Sequence, residues 1–466
     1  MSGEGDILII GAGPAGTRAA EALVGQGLRP IVVDEAPASG GQVYRRQPPG
    51  FRRSAKLRYG FEAAKAEALH ACFDGLRERV DYRPDTSVWS IENKVAFTIG
   101  PAGVGRIPFG ALLLCTGGVD RVLPIPGWTL PGVFTLGGSQ IALKAQGCAV
   151  GKRVAFLGSG PLLYLVAYQY AHAGAAVAAV LDTARFSDAL PALPGLMTGG
   201  ATMAKGLWYQ NWLRFKGVPL KRGVRRPSVE GGDRVTALRY RTAGGRARRV
   251  DCDAMAFGWG VKPECQLAEL AGCEMRFDAM ARQWLPESDA EGRASADGVY
   301  LAGDGAGVMG ADAAEYRGEL AALALLADRG LAADTGRRNY LKARLRRLMR
   351  FRIALERALP YPDGMAAALA DDTIICRCEG VTAGDIRQGQ SLEPDEINRA
   401  KAYTRLGMGR CQGRMCGIAA AEILSHQKGV SLAEVGRLRG QAPIKPLQIG
   451  IAGAAAEDDP ERAASI

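Results

Sequence analysis

The chain has 466 residues, 47% of them hydrophobic and 23% charged, with 62 glycines. That length predicts about two to four domains of a glycine-rich α/β protein, and without a run of about 18 apolar residues no transmembrane helix is expected. The net charge of +11 gathers at Arg45, Arg46, Arg52, Arg53, Lys56 and Arg58 and again over Arg337–Arg357. No nucleic-acid-reading motif accompanies it, which leaves anionic cofactors, an acidic partner or plain solubility.

Residues 6–10, Asp-Ile-Leu-Ile-Ile, read as a buried parallel strand. No basic region or cleavage site precedes it, so no secretory signal is expected and the location predicted is cytoplasmic. Gly11-Ala12-Gly13-Pro14-Ala15-Gly16 follows, then an Ala-rich helix over 17–24 and a second strand over 30–33 ending in Asp34-Glu35. Together they form a dinucleotide fingerprint. Its glycines permit a tight turn and close approach to a pyrophosphate, and Asp34, 18 residues past Gly16, is placed to meet ribose hydroxyls. Cys72, Cys115, Cys148, Cys252, Cys265 and Cys273 are scattered and read as reduced core residues. The three histidines, His70, His172 and His426, form no metal or triad pattern.

A second nucleotide fold begins at 153–157 and runs through Gly158-Ser159-Gly160-Pro161-Leu162-Leu163, a helix over about 162–173 and a strand ending at Asp182. Leu163 replaces the third glycine, which hinders close helix–strand packing. Asp182 stands where a ribose-binding acid would and disfavours a 2′-phosphate. A scaffold without NAD(P)H turnover is at least as good a reading as a working site. Trp208, Tyr209, Trp212 and Phe215 suit either helix-face packing or a contact with another chain. Residues 234–257 read as a hairpin around Gly244-Gly245 that returns the chain to the first domain near Phe257-Gly258-Trp259-Gly260. A helix is expected over 313–328.

Residues 337–359 form a basic amphipathic helix, either a linker docked on the first domain or a membrane-surface helix. The Pro360–Gly364 break marks a boundary. Cys376-Arg377-Cys378-Glu379 and Gly409-Arg410-Cys411-Gln412-Gly413-Arg414-Met415-Cys416 then place four cysteines as CxC, 32 residues, CxxxxC. Two close thiolate pairs suit a [2Fe–2S] cluster or structural zinc. Helices are expected over 393–405 and 417–428, with Thr382 capping another, and the amides at Cys416 favour negative charge. The tail beyond 432 reads as extended.

Leu112–Gly118, with Thr116 and Gly117, and 298–305, with Gly303 and Asp304, resemble the later FAD-contacting segments of the two-dinucleotide-binding-domain flavoproteins, the glutathione and thioredoxin reductase superfamily. Gly40-Gly41-Gln42 matches the turn preceding the flavin there. By that resemblance Asp304 hydrogen-bonds the flavin's ribityl or phosphate region. The redox cysteine pair of the disulfide-reductase branch is missing: its place reads Gln42 to Gln47, and Cys148 and Cys252 lie far apart. Electrons need another exit from the flavin, and the four-cysteine site is the candidate.

The whole combination resembles the alpha-type subunits of bacterial heteromeric flavin dehydrogenases: the A subunit of opine oxidase, the alpha subunits of hydroxyproline and proline dehydrogenases, and the B subunit of hydrogen cyanide synthase. It rests on Gly11–Gly16, Gly40–Gln42, Gly158–Leu163 and the two cysteine motifs. The C-terminal unit resembles the bacterioferritin-associated ferredoxin domain, which carries [2Fe–2S]. The resemblance implies an α/β flavoprotein with FAD-domain parts at 1–120 and 259–330. It also implies an inserted nucleotide fold at 121–258, a linker helix at 331–370, a [2Fe–2S] domain at 371–432 and a tail at 433–466. It implies FAD on Gly11, Gly13, Pro14, Ala15, Gly16, Asp34, Glu35, Gly41, Gln42, Thr116, Gly117, Gly303 and Asp304, and the cluster on Cys376, Cys378, Cys411 and Cys416. An amino acid or opine would be oxidised in a beta subunit with a D-amino-acid-oxidase-like fold and its own FAD, with an FMN between the two chains. An acceptor such as quinone and a small gamma subunit complete the expected partners; nucleic acid is not one, and membrane association is peripheral at most. The alternative is a stand-alone NAD(P)H-dependent flavin/iron–sulfur reductase.

Overall fold

The computed structural model describes residues 6–51, 53–389 and 396–448. Arg52 and the beginning of the helix expected from 393 lie outside them. Five parallel strands form the first sheet, in the order Val299–Leu301, Ala111–Leu114, Ile7–Ile10, Ile31–Val33, Asp81–Arg83. Ile7–Ile10 and Ala111–Leu114 are buried throughout, as unbroken apolar runs must be when both sheet faces are covered. Helices Pro14–Gly25 and Ala311–Asp328 cross on one face. The antiparallel strands Ser87–Glu92, Val95–Gly100 and Gly103–Pro108 cover the other, packing Val88, Ile91 and Ile107 on Leu8, Ile10 and Leu112.

The second sheet is also parallel: Leu220–Arg222, Ala176–Asp182, Arg153–Gly158, Ala254–Gly258, Val133–Thr135. Here the hairpin expectation needs correction. Val235–Arg241 pairs with Ala247–Asp251 around the glycine turn, but Ala254–Gly258 is a fully buried central strand beside Arg153–Gly158. The chain returns to the first domain one step later, through the antiparallel pair Val261–Pro263 and Gly118–Asp120. On this sheet helices Pro161–His172 and Ala201–Phe215 pack through Tyr168, His172, Tyr209 and Trp212. Tyr209 and Trp212 are therefore half-buried between the helices, whereas Trp208 and Phe215 are exposed, Phe215 at 85%.

Helix Thr335–Ala358, capped by Asp334, lies against Ala311–Asp328. The cysteine-bearing region follows, with Ile374–Cys376, helices Ala383–Gly389, Ile397–Thr404 and Gly417–Lys428. The Thr382 hydroxyl accepts from the Asp385 N–H, capping the first of these as expected. Its core is continuous with that of the second nucleotide domain, and Trp128 Nε1 donates to the Ile374 carbonyl at 2.6 Å. The tail includes a short helix, Leu432–Val435, and then returns to the first domain, where Ile444 is fully buried and its N–H bonds the Trp89 carbonyl. Of the six scattered cysteines, Cys115, Cys252 and Cys273 are buried, but Cys148 is exposed and does not belong to a core.

Candidate functional site

The glycine turn Gly11–Gly16 joins the central strand Ile7–Ile10 to helix Pro14–Gly25, so its amides open at the C-terminal edge of the sheet. A Cβ on Gly16 would run into the Gly11 carbonyl oxygen, so only glycine permits this approach of helix to strand. Asp34 closes the turn from the next strand. Its Oδ2 accepts from the Ala12 N–H at 2.5 Å and its Oδ1 from the Ala36 N–H at 2.7 Å. Burial pushes its carboxyl up against these two donors. Asp34 thus spends both oxygens on the backbone, while Glu35 reaches the rim and pairs with Lys445 at 2.8 Å.

Asp304 is likewise tied to its own loop, accepting from the Met309 and Gly310 N–H groups at 2.9 and 3.1 Å. Thr116 donates to the Glu264 carbonyl at 2.8 Å. Gly11, Gly13, Pro14, Ala15, Asp34, Glu35, Gly41, Gln42, Thr116, Gly117, Gly303 and Asp304 line one cavity of about 1460 Å³; Gly16 lies behind it in the helix–strand contact. The same cavity runs on under the second nucleotide fold, along Tyr164 and Gln169 and past an apolar wall that includes Leu196, Phe351 and Leu355. Lys144, not legible as a site residue, faces it from helix Leu136–Lys144. Its ammonium is buried, donates to the Val43 carbonyl at 3.1 Å, and is driven by burial down to about 8.

The second fold differs at its acid. Asp182 is fully buried, accepting from Tyr164 Oη at 2.5 Å and the Ala184 N–H at 2.9 Å, with Arg222 Nε at 3.9 Å. Burial again pushes the carboxyl up. Leu163 is fully buried in this domain's core. Offering Asp182 to a ribose therefore requires breaking the Tyr164 bond.

The four cysteines come together. Cys416, the N-cap of helix Gly417–Lys428, hydrogen-bonds both Cys376 and Cys411, and Cys411 hydrogen-bonds Cys378. Its contact with Cys416 holds Cys376 at about 6 and Cys411 at about 5, while Cys416 itself is pushed well up by the same two contacts. Backbone N–H groups of Gly407, Glu379, Gly413 and Met415 also bond these sulfurs. Among the described residues no group of three or more His, Cys, Asp or Glu is set to hold a single metal ion; the thiols touch in a chain. Cys411, Arg414 and Met415 line the dinucleotide cavity. Arg414 forks onto Glu264, Nε to Oε2 at 2.5 Å and Nη2 to Oε1 at 3.2 Å, and Gln266 Nε2 donates to the Gln412 carbonyl at 2.7 Å. All ten cysteines are free, and none stands between Gln42 and Gln47.

The family described as pyridine nucleotide-disulphide oxidoreductase matches residues 5–320, and the sarcosine oxidase A3 domain matches 371–456. The A subunit of opine oxidase from Rhizobium meliloti is 37% identical over 460 residues, covering 95% of this chain and 86% of that one. Hydrogen cyanide synthase subunit HcnB of Pseudomonas protegens is 31% identical, covering 94% and 96%. In fold, L-proline dehydrogenase from P. horikoshii superposes with a TM-score of 0.71 at 22% identity, over 96% of this chain and 78% of that one. A cavity of dinucleotide size on a glycine turn, in a domain of this type, implies FAD binding. The chain belongs to the pyridine nucleotide-disulphide oxidoreductase family and, within it, to the alpha-type subunits represented by HcnB and the A subunit of opine oxidase.

Proposed function

We propose that this chain is the electron-relay subunit of a heteromeric flavin dehydrogenase that oxidises a CH–NH donor, an amino acid or opine, in a partner beta subunit. One observation carries the reading: Cys411 of the four-cysteine site opens onto the same cavity as the dinucleotide turn. Without a redox cysteine pair in the flavin domain, that opening is the short route out for electrons.

In this reading the glycine turn receives the FAD pyrophosphate at the N-terminus of helix Pro14–Gly25. Asp34 and Asp304 keep their loops in shape to meet it, and Glu35 is the acid with a rim position for the ribose. Bound there, FAD supplies the exchange between two-electron and one-electron chemistry. Cys376, Cys416, Cys411 and Cys378 touch in that order, and four thiolates gathered in this way would hold a [2Fe–2S] cluster. Backbone amides aimed at the sulfurs favour the anionic state of such a group. The partner is a beta subunit with a D-amino-acid-oxidase-like fold, and an FMN lies at their interface; the relatives named as subunits support a heteromeric assembly.

Iron, acid-labile sulfide and extracted flavin measured on the purified protein test this. About two irons and two sulfides per chain with a reducible visible spectrum are expected. Zinc with no reducible iron overturns the relay. Rapid bleaching by NADH would instead identify a stand-alone reductase.

A further inference from the structure

Among the described residues six carboxylates line the dinucleotide cavity, and each is engaged. Asp34, Asp120 and Asp304 accept from backbone N–H groups, Gly137 donating to Asp120 at 3.0 Å. Glu35 pairs with Lys445, Glu62 with Lys205 and Glu264 with Arg414. Lys144 faces the same cavity and shares in none of these contacts. It is only 5% exposed. An ammonium carries three N–H donors; one goes to the Val43 carbonyl, and among the described residues Lys144 makes no ion pair. A lysine in the last turn of a helix commonly serves that helix's own carbonyls, but this one reaches across to the first domain.

Val43 fixes where the cation stands along the cofactor. Gly41, two residues earlier, is packed on the pyrophosphate turn: a Cβ on Gly41 would lie 2.9 Å from the Gly13 Cα. Two residues of chain advance at most about 7 Å, so Lys144 lies close to the middle of a bound dinucleotide. The adenosine half belongs to the acid at the end of strand Ile31–Val33. Lys144 is carried instead by helix Leu136–Lys144, which rests on strand Gly118–Asp120 through the bond from Gly137 to Asp120. That wall faces the flavin half.

We infer that the Lys144 ammonium lies against the polar edge of the flavin ring and favours its reduced form, an inference that rests on the FAD reading above. Reduction brings the ring two electrons from the donor oxidised in the partner chain and one proton from water. One negative charge is left, shared between N1 and the C2 carbonyl. It arrives in a cavity whose carboxylates are all engaged and whose one buried ammonium is not. In surroundings of low dielectric a unit charge so placed acts far more strongly than in water. The lysine thus sets how readily the flavin accepts electrons.

Anaerobic redox titration of the purified, flavin-loaded protein against a dye of known potential tests this. Lys144→Met should make reduction about tenfold less favourable, about 30 mV for the two-electron couple. Lys144→Arg, which keeps the charge, should stay within about threefold of wild type. Flavin binding to the stripped protein gives a second measurement. Lys144→Met should bind oxidised FAD as wild type does and reduced FAD about tenfold more weakly, because the two differences close one thermodynamic cycle. Circular dichroism verifies that each variant folds. An unchanged potential, equal shifts in the Met and Arg variants, or equal weakening of both FAD forms overturns the inference, since the lysine would then be a tie between domains or a clamp on the pyrophosphate. Wild-type protein without extractable flavin overturns the FAD reading and the inference together, whereas bound flavin with an unmoved potential overturns the inference alone.

Discussion

Lys144 places a cation in a cavity wall with one hydrogen-bond acceptor, the Val43 carbonyl, and burial holds its ammonium at about 8 against an ordinary 10.5. The difference of 2.5 is a cost of about 3 kcal/mol to the cofactor-free fold whenever the lysine is charged. The unfolded chain binds more protons between pH 8 and 10.5, so stability rises with pH across that window. Lys144→Met should therefore stabilise the cofactor-free protein by up to about 3 kcal/mol below pH 8, with the gain vanishing above 10.5. Denaturant melts of both proteins at several pH values measure this, and parallel pH curves would refute it. Behind the cavity, in the contact of helix with strand, Gly16→Ala drives a methyl into the Gly11 carbonyl. A loss of about 1–3 kcal/mol and of the extractable flavin is expected, read by thermal melts and absorbance. An Ala variant that keeps its flavin would show that the helix can retreat.

At the level of elements, the two nucleotide folds share a turn and diverge in what their acids do. Asp34 braces the turn through backbone donors; Asp182 is sealed by Tyr164. Tyr164→Phe leaves that buried carboxylate oxygen short of a donor, so a loss of about 1–3 kcal/mol is expected, with no gain in bleaching by NADH or NADPH. Faster bleaching in this variant would mean that the tyrosine alone closes a working nicotinamide site. The same contrast separates what is legible in a sequence from what is not. The first fold is legible because its strand, glycines and acid are contiguous and periodic. The thiol grouping is legible because only four cysteines share close spacing. Ala254–Gly258 is not, since five apolar residues after a hairpin look the same as a third hairpin strand or a central parallel one. The choice comes from Arg153–Gly158, a hundred residues earlier. Lys144 and Ile444 are invisible for the same reason: each is defined by a distant partner, Val43 or Trp89, and not by its neighbours in sequence.

For the whole molecule, the decisive contact is the one that holds the cysteine domain over the cavity. Arg414 is two residues before Cys416, and its fork onto Glu264 spans two domains, with both side chains largely buried at 14% and 9% exposure. The Arg414 guanidinium holds the Glu264 carboxyl below its ordinary 4.5 despite burial. Its folded value being lower, Glu264 contributes stability that is present above pH 4.5 and lost as pH falls through the folded value. The Coulomb gain is offset by desolvation of both ions, so the pair's net worth is small, but removing one partner strands the other at a cost of about 3–5 kcal/mol. Arg414→Met should thus loosen the junction more than it loosens either domain. In hydrogen exchange, Ile374–Cys376 and Gly417–Lys428 should lose protection while Ile7–Ile10 keeps its own, and electron transfer from reduced flavin to the cysteine site should slow. Replacing both partners, Arg414→Met with Glu264→Leu, should recover most of the protection without the pH dependence. If the single variant instead lowers protection evenly across both sheets, the fork is a general stabiliser and the domain's position over the cavity is set by the shared core around Trp128.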